Sequence, residues 1–204
     1  MPRVRWRAMP LNTVAAILGG GAGLRMGGRK ALVMLDGKSL VAHVAQALRP
    51  CSRAIAMVGD AEAADAIAAA ALTDPPGFPA GPLSGVCAAL EWAVGENATF
   101  VMVAPCDTPL LTSDVVQQLQ AVASSGIRVA CAETPDGLQP LVSIWRSDLA
   151  PWLRAELADS HPAVRDVLAR AGFKRVKFGD PDVFLNVNTP EDLRRAEAIL
   201  RARR

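Results

Sequence analysis

Glycines and cations are concentrated in one short stretch near the start of this 204-residue chain. Residues 14–18 are five consecutive apolar side chains, as in a strand buried on both faces, and four of the next five residues are glycine. The backbone N–H groups of such a loop can converge on an anion, and Arg25 and Lys30 would add two positive charges beside it. These residue types in this order favour a polyphosphate-binding loop at the end of a strand.

Two common glycine motifs are excluded by counting. The dinucleotide fingerprint G-x-G-x-x-G fails in both registers, because Leu24 or Met26 stands where its last glycine belongs. The triplet Gly37-Lys38-Ser39 could end a P-loop, but Leu32 occupies the position of the first glycine, so the triplet predicts a hairpin turn instead.

A carboxylate follows a second apolar run. Residues 99–104 predict another buried strand, and Asp107 comes directly after it, within the sequence PCDTP. Mg²⁺ is often held by one or two protein carboxylates together with phosphate oxygens and water. Asp107 is therefore our candidate metal ligand, and the alternative is a turn residue that bonds its own backbone.

Two further stretches stand out. Residues 73–85 contain four prolines and three glycines, which predicts a stiff loop whose alternative role is a plain surface connection. Near the C-terminus, Thr189 as N-cap and Pro190 at the first helical position predict a helix start. This helix start does not explain Asn186 and Asn188, whose spacing in an extended strand would point both side chains to one side.

These stretches resemble the signature of nucleotidyltransferases that build nucleoside-diphosphate conjugates, most closely the molybdenum cofactor guanylyltransferases. The similar sequences are LGGGAGLRMGGRK at 18–30, Asp74 with GPLSG at 81–85, CDTP at 106–109 and NVNTP at 186–190. Gln139-Pro140-Leu141 also resembles, more weakly, a family segment near the second substrate. Arg29 departs from the pattern, because the family usually has Asp before the lysine.

The resemblance implies a role for each matching residue. Arg25, Lys30 and Asp107 would carry the catalysis, with Asp107 holding Mg²⁺, and Asn186 and Asn188 would bind the acceptor. The nucleotide contacts that it implies are Leu18, Gly19, Gly20, Gly21, Arg25, Lys30, Asp74, Gly81, Pro82, Leu83 and Asp107.

The implied reaction transfers GMP from GTP to molybdenum-bound molybdopterin and releases pyrophosphate. The small-molecule partners are then GTP and the molybdopterin cofactor, and candidate protein partners are molybdoenzymes and other proteins of cofactor biosynthesis. Alternatives are a cytidylyltransferase for the same cofactor, a sugar-1-phosphate nucleotidyltransferase, or a poorly active nucleotide-binding chaperone or regulator. Arg29 supports the last alternative, as does Met57, which stands where guanylyltransferases often place a nucleotide-contacting asparagine.

Length and composition fit one α/β domain. We expect a single Rossmann-like three-layer domain over residues 13–204, with a mostly parallel sheet and helices on both faces, and a flexible N-terminal tail over residues 1–12. The net charge is only +2, and only nine residues are aromatic, none of them tyrosine. These values argue against a nucleic-acid partner. No apolar run approaches the ~20 residues of a membrane span, and four dispersed cysteines are typical of a reducing compartment, so we expect a cytoplasmic protein with no membrane contact.

Local patterns predict the remaining elements. An alanine-rich run predicts a helix over residues 61–72, and a helix after Gly85 is expected to bury Val86, Leu90 and Val94 on one face. Strands are predicted over residues 54–58, 129–132 and 141–145, and further helices begin near Ser39 and Thr112.

Overall fold

The computed structural model describes residues 12–19, 30–78, 81–158 and 162–203. The strands are β1 (Thr13–Leu18), β2 (Met34–Leu35), β3 (Lys38–Ser39), β4 (Ile55–Val58), β5 (Ala70–Leu72), β6 (Phe100–Pro105), β7 (Val129–Thr134), β8 (Gly137–Arg146) and β9 (Phe173–Lys177). The helices are α1 (Leu40–Leu48), α2 (Ala61–Ala66), α3 (Pro82–Gly95), α4 (Ser113–Ala123), α5 (Ala150–Ala158), α6 (Val164–Ala171) and α7 (Pro190–Ala202).

Seven of these strands form the central sheet, in the order β5-β4-β1-β6-β8-β7-β9. Only β8 runs against its neighbours, pairing antiparallel with both β6 and β7, and the other described pairs are parallel. The prediction of a mostly parallel sheet is therefore confirmed.

The two faces of the sheet bury separate cores because side chains alternate along each strand. In β1, Ala15 and Ile17 pack into the core under α1, α2 and α4, whereas Val14, Ala16 and Leu18 pack into the core under α3, α5 and α6. All five are buried, which explains why β1 reads as a continuous apolar run. Helices thus cover both faces, as predicted.

A third, smaller cluster joins the β2–β3 hairpin to α7. It contains Leu35, Leu40, Leu110, Val187 and Ala196. Positive φ angles at Asp36 (49°) and Gly37 (80°) turn the hairpin where the sequence predicts a turn. This cluster holds the segment before α7 against the loop after β6.

The helix predicted over residues 61–72 is wrong in its second half. Asp60 caps α2 by accepting a hydrogen bond from the Ala63 N–H, but the helix ends at Ala66, and Ala68 has a φ of 50°. The chain then pairs as β5 alongside β4. Alanine favours a helix locally, and here the pairing with the sheet edge overrides that preference.

The helix predicted after Gly85 begins earlier, at Pro82, with Gly81 as its N-cap residue. Proline suits the first helical position because its missing N–H would have no intrahelical partner there. Val86 and Leu90 are buried as predicted, but Val94 is 50% exposed, so its assignment to the buried face is wrong.

The four cysteines form no disulfide; three of them are buried and Cys51 is half-buried. Across the described ranges, no helix is both long enough and apolar enough to span a bilayer.

Candidate active site

The carboxyl ends of three neighbouring strands, β1, β4 and β6, lie side by side at one end of the sheet. Leu18, the last residue of β1, pairs with Val58 at the end of β4 and with Pro105 at the end of β6. The Gly19 N–H donates to the Val58 carbonyl (2.8 Å), and the Cys106 N–H donates to the Leu18 carbonyl (3.0 Å). A cleft of about 890 Å³ opens above these strand ends, where ligands bind in open α/β sheets.

Glycine is required at the floor of this cleft because two backbones approach closely. Gly59 has a φ of +82°, and a Cβ there would lie 2.7 Å from the Gly19 carbonyl oxygen. A Cβ on Gly19 would lie 2.8 Å from the Val58 carbonyl oxygen. Met57, which stands where the family often has an asparagine, is fully buried beneath Gly19, and β4 continues past it to Val58.

Part of the glycine loop lies outside the described residues. Gly20, Gly21, Arg25 and Arg29 all fall within 20–29, for which the structure gives no description. Leu18 and Gly19 line the cleft on one side of this gap.

Lys30, on the other side of the gap, brings three separate motifs together. Its ammonium forms an ion pair with the Asp107 carboxylate and donates to the Asn188 amide oxygen at 2.5 Å. The side chains of Lys30 and Asp107 are only 10% and 18% exposed. One cation thus connects the end of the glycine loop, the loop after β6 and the segment before α7.

Asp107 keeps one oxygen available. Lys30 contacts its Oδ2, whereas its Oδ1 is buried without a hydrogen-bond partner among the described residues. A buried carboxylate oxygen without a partner is unfavourable unless a cation or donor reaches it. In the described ranges no three His, Cys, Asp or Glu side chains cluster as metal ligands. This donor set fits Mg²⁺, which can take one carboxylate together with substrate phosphates and water.

The segment carrying the two asparagines, residues 185–188, belongs to neither a strand nor a helix. The expectation that a strand pleat orients Asn186 and Asn188 is therefore wrong, although both line the cleft. The Val187 N–H between them donates to the Asp107 carbonyl (2.8 Å), and Thr108 Oγ1 donates to Asn186 Oδ1 (3.2 Å). Burial of Val187 and these two bonds hold the asparagines at the mouth of the cleft.

The helix start after this segment is confirmed as a capping box. Thr189 Oγ1 accepts from the Asp192 N–H, and the Asp192 carboxylate accepts from the N–H groups of Asn188 (2.9 Å) and Thr189 (2.8 Å). These bonds, the one from Asn188 first, lower the pKa of Asp192.

The proline-rich loop supplies another wall. Asp74, Gly81 and Pro82 line the cleft, and partial burial raises the pKa of Asp74. Leu83 is buried and packs in the core with Leu18 instead. Of the four residues that the resemblance assigns to the nucleotide in this part of the chain, three therefore line the cleft, and Leu83 supports them from the core.

The opposite wall combines Gln139 with an apolar surface. Pro140 and Leu141 belong to the segment with the weaker resemblance, whereas Val164 and Phe184 were not predicted as site residues. Phe184 stands two residues before Asn186, a proximity that could have suggested it. Val164 carries no such signal, because an apolar residue at a helix start is typical of a core position.

Known proteins show the same fold and similar sequence. A family model described as the MobA-like NTP transferase domain matches residues 15–176. The molybdenum cofactor guanylyltransferase of Cereibacter sphaeroides is 39% identical over 188 residues, covering 91% of this chain and 95% of that protein. That of Rhizobium meliloti (strain 1021) is 37% identical over 199 residues, covering 91% of each.

A solved structure agrees with these relatives. Molybdopterin-guanine dinucleotide biosynthesis protein A from Archaeoglobus fulgidus superposes with a TM-score of 0.74 at 25% identity, covering 93% of this chain and 99% of that one. Because the family model matches more than half of the chain and curated relatives exceed 30% identity over most of it, the chain belongs to the MobA-like NTP transferase family.

Proposed function

We propose that this nucleotidyltransferase is a molybdenum cofactor guanylyltransferase, which transfers GMP from GTP to molybdenum-bound molybdopterin and releases pyrophosphate. The observation that carries the proposal is the contact of Lys30 with both Asp107 and Asn188, which joins the nucleotide-side and acceptor-side motifs in one cleft. The names of the relatives from Cereibacter sphaeroides and Rhizobium meliloti support the same activity.

The reaction needs no covalent nucleophile from the protein. An oxygen of the terminal phosphate of molybdopterin attacks the α-phosphorus of GTP, a new phosphorus–oxygen bond forms, and the bond from the α-phosphorus to the bridging oxygen breaks. Pyrophosphate leaves with that oxygen and its electron pair. The protein then contributes positioning and neutralisation of the charge that develops on the phosphoryl oxygens.

On the nucleotide side, backbone N–H groups at the end of β1 face the triphosphate, and Arg25 and Lys30 balance its charge. Lys30 contacts two residues that line the cleft, Asp107 and Asn188, and its flexible side chain could turn from them towards a bound phosphate. The nucleoside contacts that we propose are Asp74, Gly81 and Pro82, with Leu83 supporting them from the core. The phosphate-side backbone contacts that we propose are Leu18, Gly19, Gly20 and Gly21.

Asp107 is the residue that would hold Mg²⁺, through the buried oxygen that no described group satisfies. When bound, the ion would neutralise phosphate charge and favour departure of the pyrophosphate. Lys30 shares the same carboxylate and keeps that charge balanced before the nucleotide arrives.

Asn186 and Asn188 are the acceptor residues that we propose. Both are exposed at the mouth of the cleft, and amide groups can both donate to and accept from a pterin or a phosphate. Thr108 fixes Asn186 through a hydrogen bond to its amide oxygen, which leaves the amide N–H₂ to donate to a ligand.

The guanine preference rests on the sequence at residue 20. Guanylyltransferases of the family have Leu-Ala-Gly-Gly at the start of the loop, whereas the related cytidylyltransferases have Leu-Ala-Ala-Gly, and this chain has glycine at the distinguishing position. Without a Cβ at Gly20 the backbone can lie against a purine, and an added methyl would favour a smaller pyrimidine.

Calorimetric titration of GTP, CTP and ATP, each with and without Mg²⁺, tests this function. We expect GTP to bind most tightly and the ion to strengthen its binding. Preferential binding of CTP would favour the cytidylyltransferase, and GTP binding without transfer to the acceptor would favour a chaperone or regulator.

We place the reaction in the cytoplasm, where a reducing environment suits four cysteines that form no disulfide. Molybdoenzymes and other proteins of cofactor biosynthesis are the protein partners that such a product would require.

A further inference from the structure

Phe78 lies in the middle of the loop that connects two cleft residues, Asp74 and Gly81. The guanidinium carbon of Arg154, on α5, lies 5.4 Å from the centre of the Phe78 ring. This distance is within the range of a cation–π interaction. The ring also packs against the core under α3, α5 and α6.

Arg154 is itself held in place by Glu91. Its Nη1 donates to Glu91 Oε1 at 2.5 Å. Glu91 belongs to α3, and that helix begins at Pro82, directly after Gly81. The contact therefore links the middle of the loop, through α5, to the same helix that receives the end of the loop.

Isolated surface ion pairs usually contribute little to stability, so the Arg154–Glu91 ion pair alone would not be expected to fix the loop. Here the guanidinium touches two elements at once, a carboxylate on α3 and an aromatic face on the loop. Residues 73–78 form neither helix nor strand, and few backbone bonds within the segment restrict it. Phe78 is the last residue of this segment, and a contact there removes conformations that the segment would otherwise lose on binding a ligand.

We infer that Phe78 and Arg154 are positioning residues that fix the nucleoside-binding loop through a cation–π contact, with Glu91 orienting the arginine. The inference rests on the proposed function only in taking Asp74 and Gly81 as nucleoside contacts. Neither Phe78 nor Arg154 lines the cleft, so both act through the loop and leave the reacting atoms untouched.

The test compares Arg154→Ala, Phe78→Leu and the double variant with the wild-type enzyme. Leucine keeps an apolar side chain against the core but removes the aromatic face. We expect each single variant to raise the KM for GTP by roughly 2- to 10-fold, with kcat within about twofold. The double variant should be no worse than either single one, because both remove the same contact. Arg154→Lys keeps the charge and should raise KM less than Arg154→Ala.

Arg146→Ala is the matched control. Arg146 forms an ion pair with Asp148 at 2.5 Å and is 39% exposed, against 49% for Arg154. It pairs with Phe100 at the start of β6, so it lies at the edge of the sheet opposite the cleft. This variant should leave the KM for GTP unchanged.

Backbone ¹⁵N order parameters of Thr73, Asp74, Gly77 and Phe78 in the free protein give a second readout, because they report flexibility without requiring a hydrogen-bonded amide. We expect lower order parameters in Arg154→Ala and Phe78→Leu than in the wild type and Arg146→Ala. Unchanged order parameters and unchanged KM would overturn the inference, as would additive effects in the double variant. If the wild-type protein failed to bind GTP, the proposed function would fail, while the order parameters would still decide whether the contact fixes the loop.

Discussion

The Lys30 ammonium and the Asp107 carboxylate lie in direct contact, although the two residues are 77 positions apart in the sequence. Asn188 shares the same ammonium, so one cation joins three loops at one edge of the sheet. Both side chains of the pair are mostly shielded from water. Charges attract each other more strongly in such a shielded place than at the protein surface. In our account this contact keeps the cleft assembled until a nucleotide supplies phosphate charge for Lys30.

We predict that Asp107→Asn preserves the fold but removes most Mg²⁺-dependent turnover. The amide has about the same shape and can still accept from Lys30, but it lacks the charge that holds the ion. GMP transfer measured across a Mg²⁺ titration, with circular dichroism to monitor folding, checks this. Asp114→Asn, which changes an exposed acid on α4, is the control. Near-normal activity with unchanged Mg²⁺ dependence would remove Asp107 from the metal site.

Lys30→Ala should slow GMP transfer by roughly 10²-fold or more, the scale observed when a preorganised charged group is deleted. Arg25→Ala should have a similar effect, and Arg29→Ala a smaller one, because Arg29 replaces an acid in the family pattern. Steady-state rates for the three variants check this order, with Lys38→Ala on the β2–β3 hairpin as the control. If Arg29→Ala were the most damaging, our alignment of the glycine loop would be wrong.

The sequence predicts best those elements whose signals are local or repeat along the whole element. Burial of β1 on both faces produces an unbroken apolar run, and the capping box of Thr189 and Asp192 marks the start of α7. In contrast, β5 lies in an alanine run whose local preference is helical, and only pairing with β4 makes it a strand. The edge strand β9 was not predicted, because its exposed side chains leave no clear apolar pattern.

The candidate site shows the same contrast between local and non-local signals. The glycine, acid and amide motifs can be recognised because their residue types indicate their chemistry, and the parallel strands bring them to the same end of the sheet. The Lys30–Asp107 pair depends on the exact relation of two distant loops, which no local pattern encodes. Val164 could not be separated from core residues by sequence, since an apolar side chain can line a cleft or fill a core, whereas the position of Phe184 two residues before Asn186 is the one signal that could have suggested it.

For the acceptor side, Asn186→Ala should impair use of molybdopterin and leave GTP binding nearly intact. The amide is exposed in the cleft, and its oxygen accepts a hydrogen bond from Thr108. The KM for the acceptor and the calorimetric dissociation constant of GTP together check this, and Asn188→Ala should behave similarly. Lost GTP affinity with normal acceptor binding would reverse the assignment.

Stability should depend on pH through Asp192. Its pKa is lowered in the folded protein, so its contribution is fully present above the unfolded pKa of about 3.9 and is lost as the pH falls through the lower folded value. Urea unfolding of the wild type and Asp192→Asn should therefore differ at neutral pH and converge in acid. Glu191→Gln, at the neighbouring exposed acid, is the control. A difference that grew in acid would contradict the capping role.

Gly20→Ala should narrow or reverse the preference for GTP over CTP. The added methyl would crowd a purine, and discrimination of this kind amounts to about 1–3 kcal/mol. Gly20 lies outside the described residues, so this prediction rests on the sequence alone. Competition between the two nucleotides in the wild type and the variant measures it. An unchanged ratio would show that another residue selects the base.

Transfer of label from the α-phosphate of GTP to molybdenum-bound molybdopterin is the decisive measurement of guanylyltransferase activity. With Mg²⁺ and with GTP and CTP present at equal concentrations, we expect the label from GTP to appear on the pterin and an equal amount of pyrophosphate to be released. Labelling from CTP instead, or no labelling of the acceptor by folded protein that binds GTP, would show that the protein is not a molybdenum cofactor guanylyltransferase.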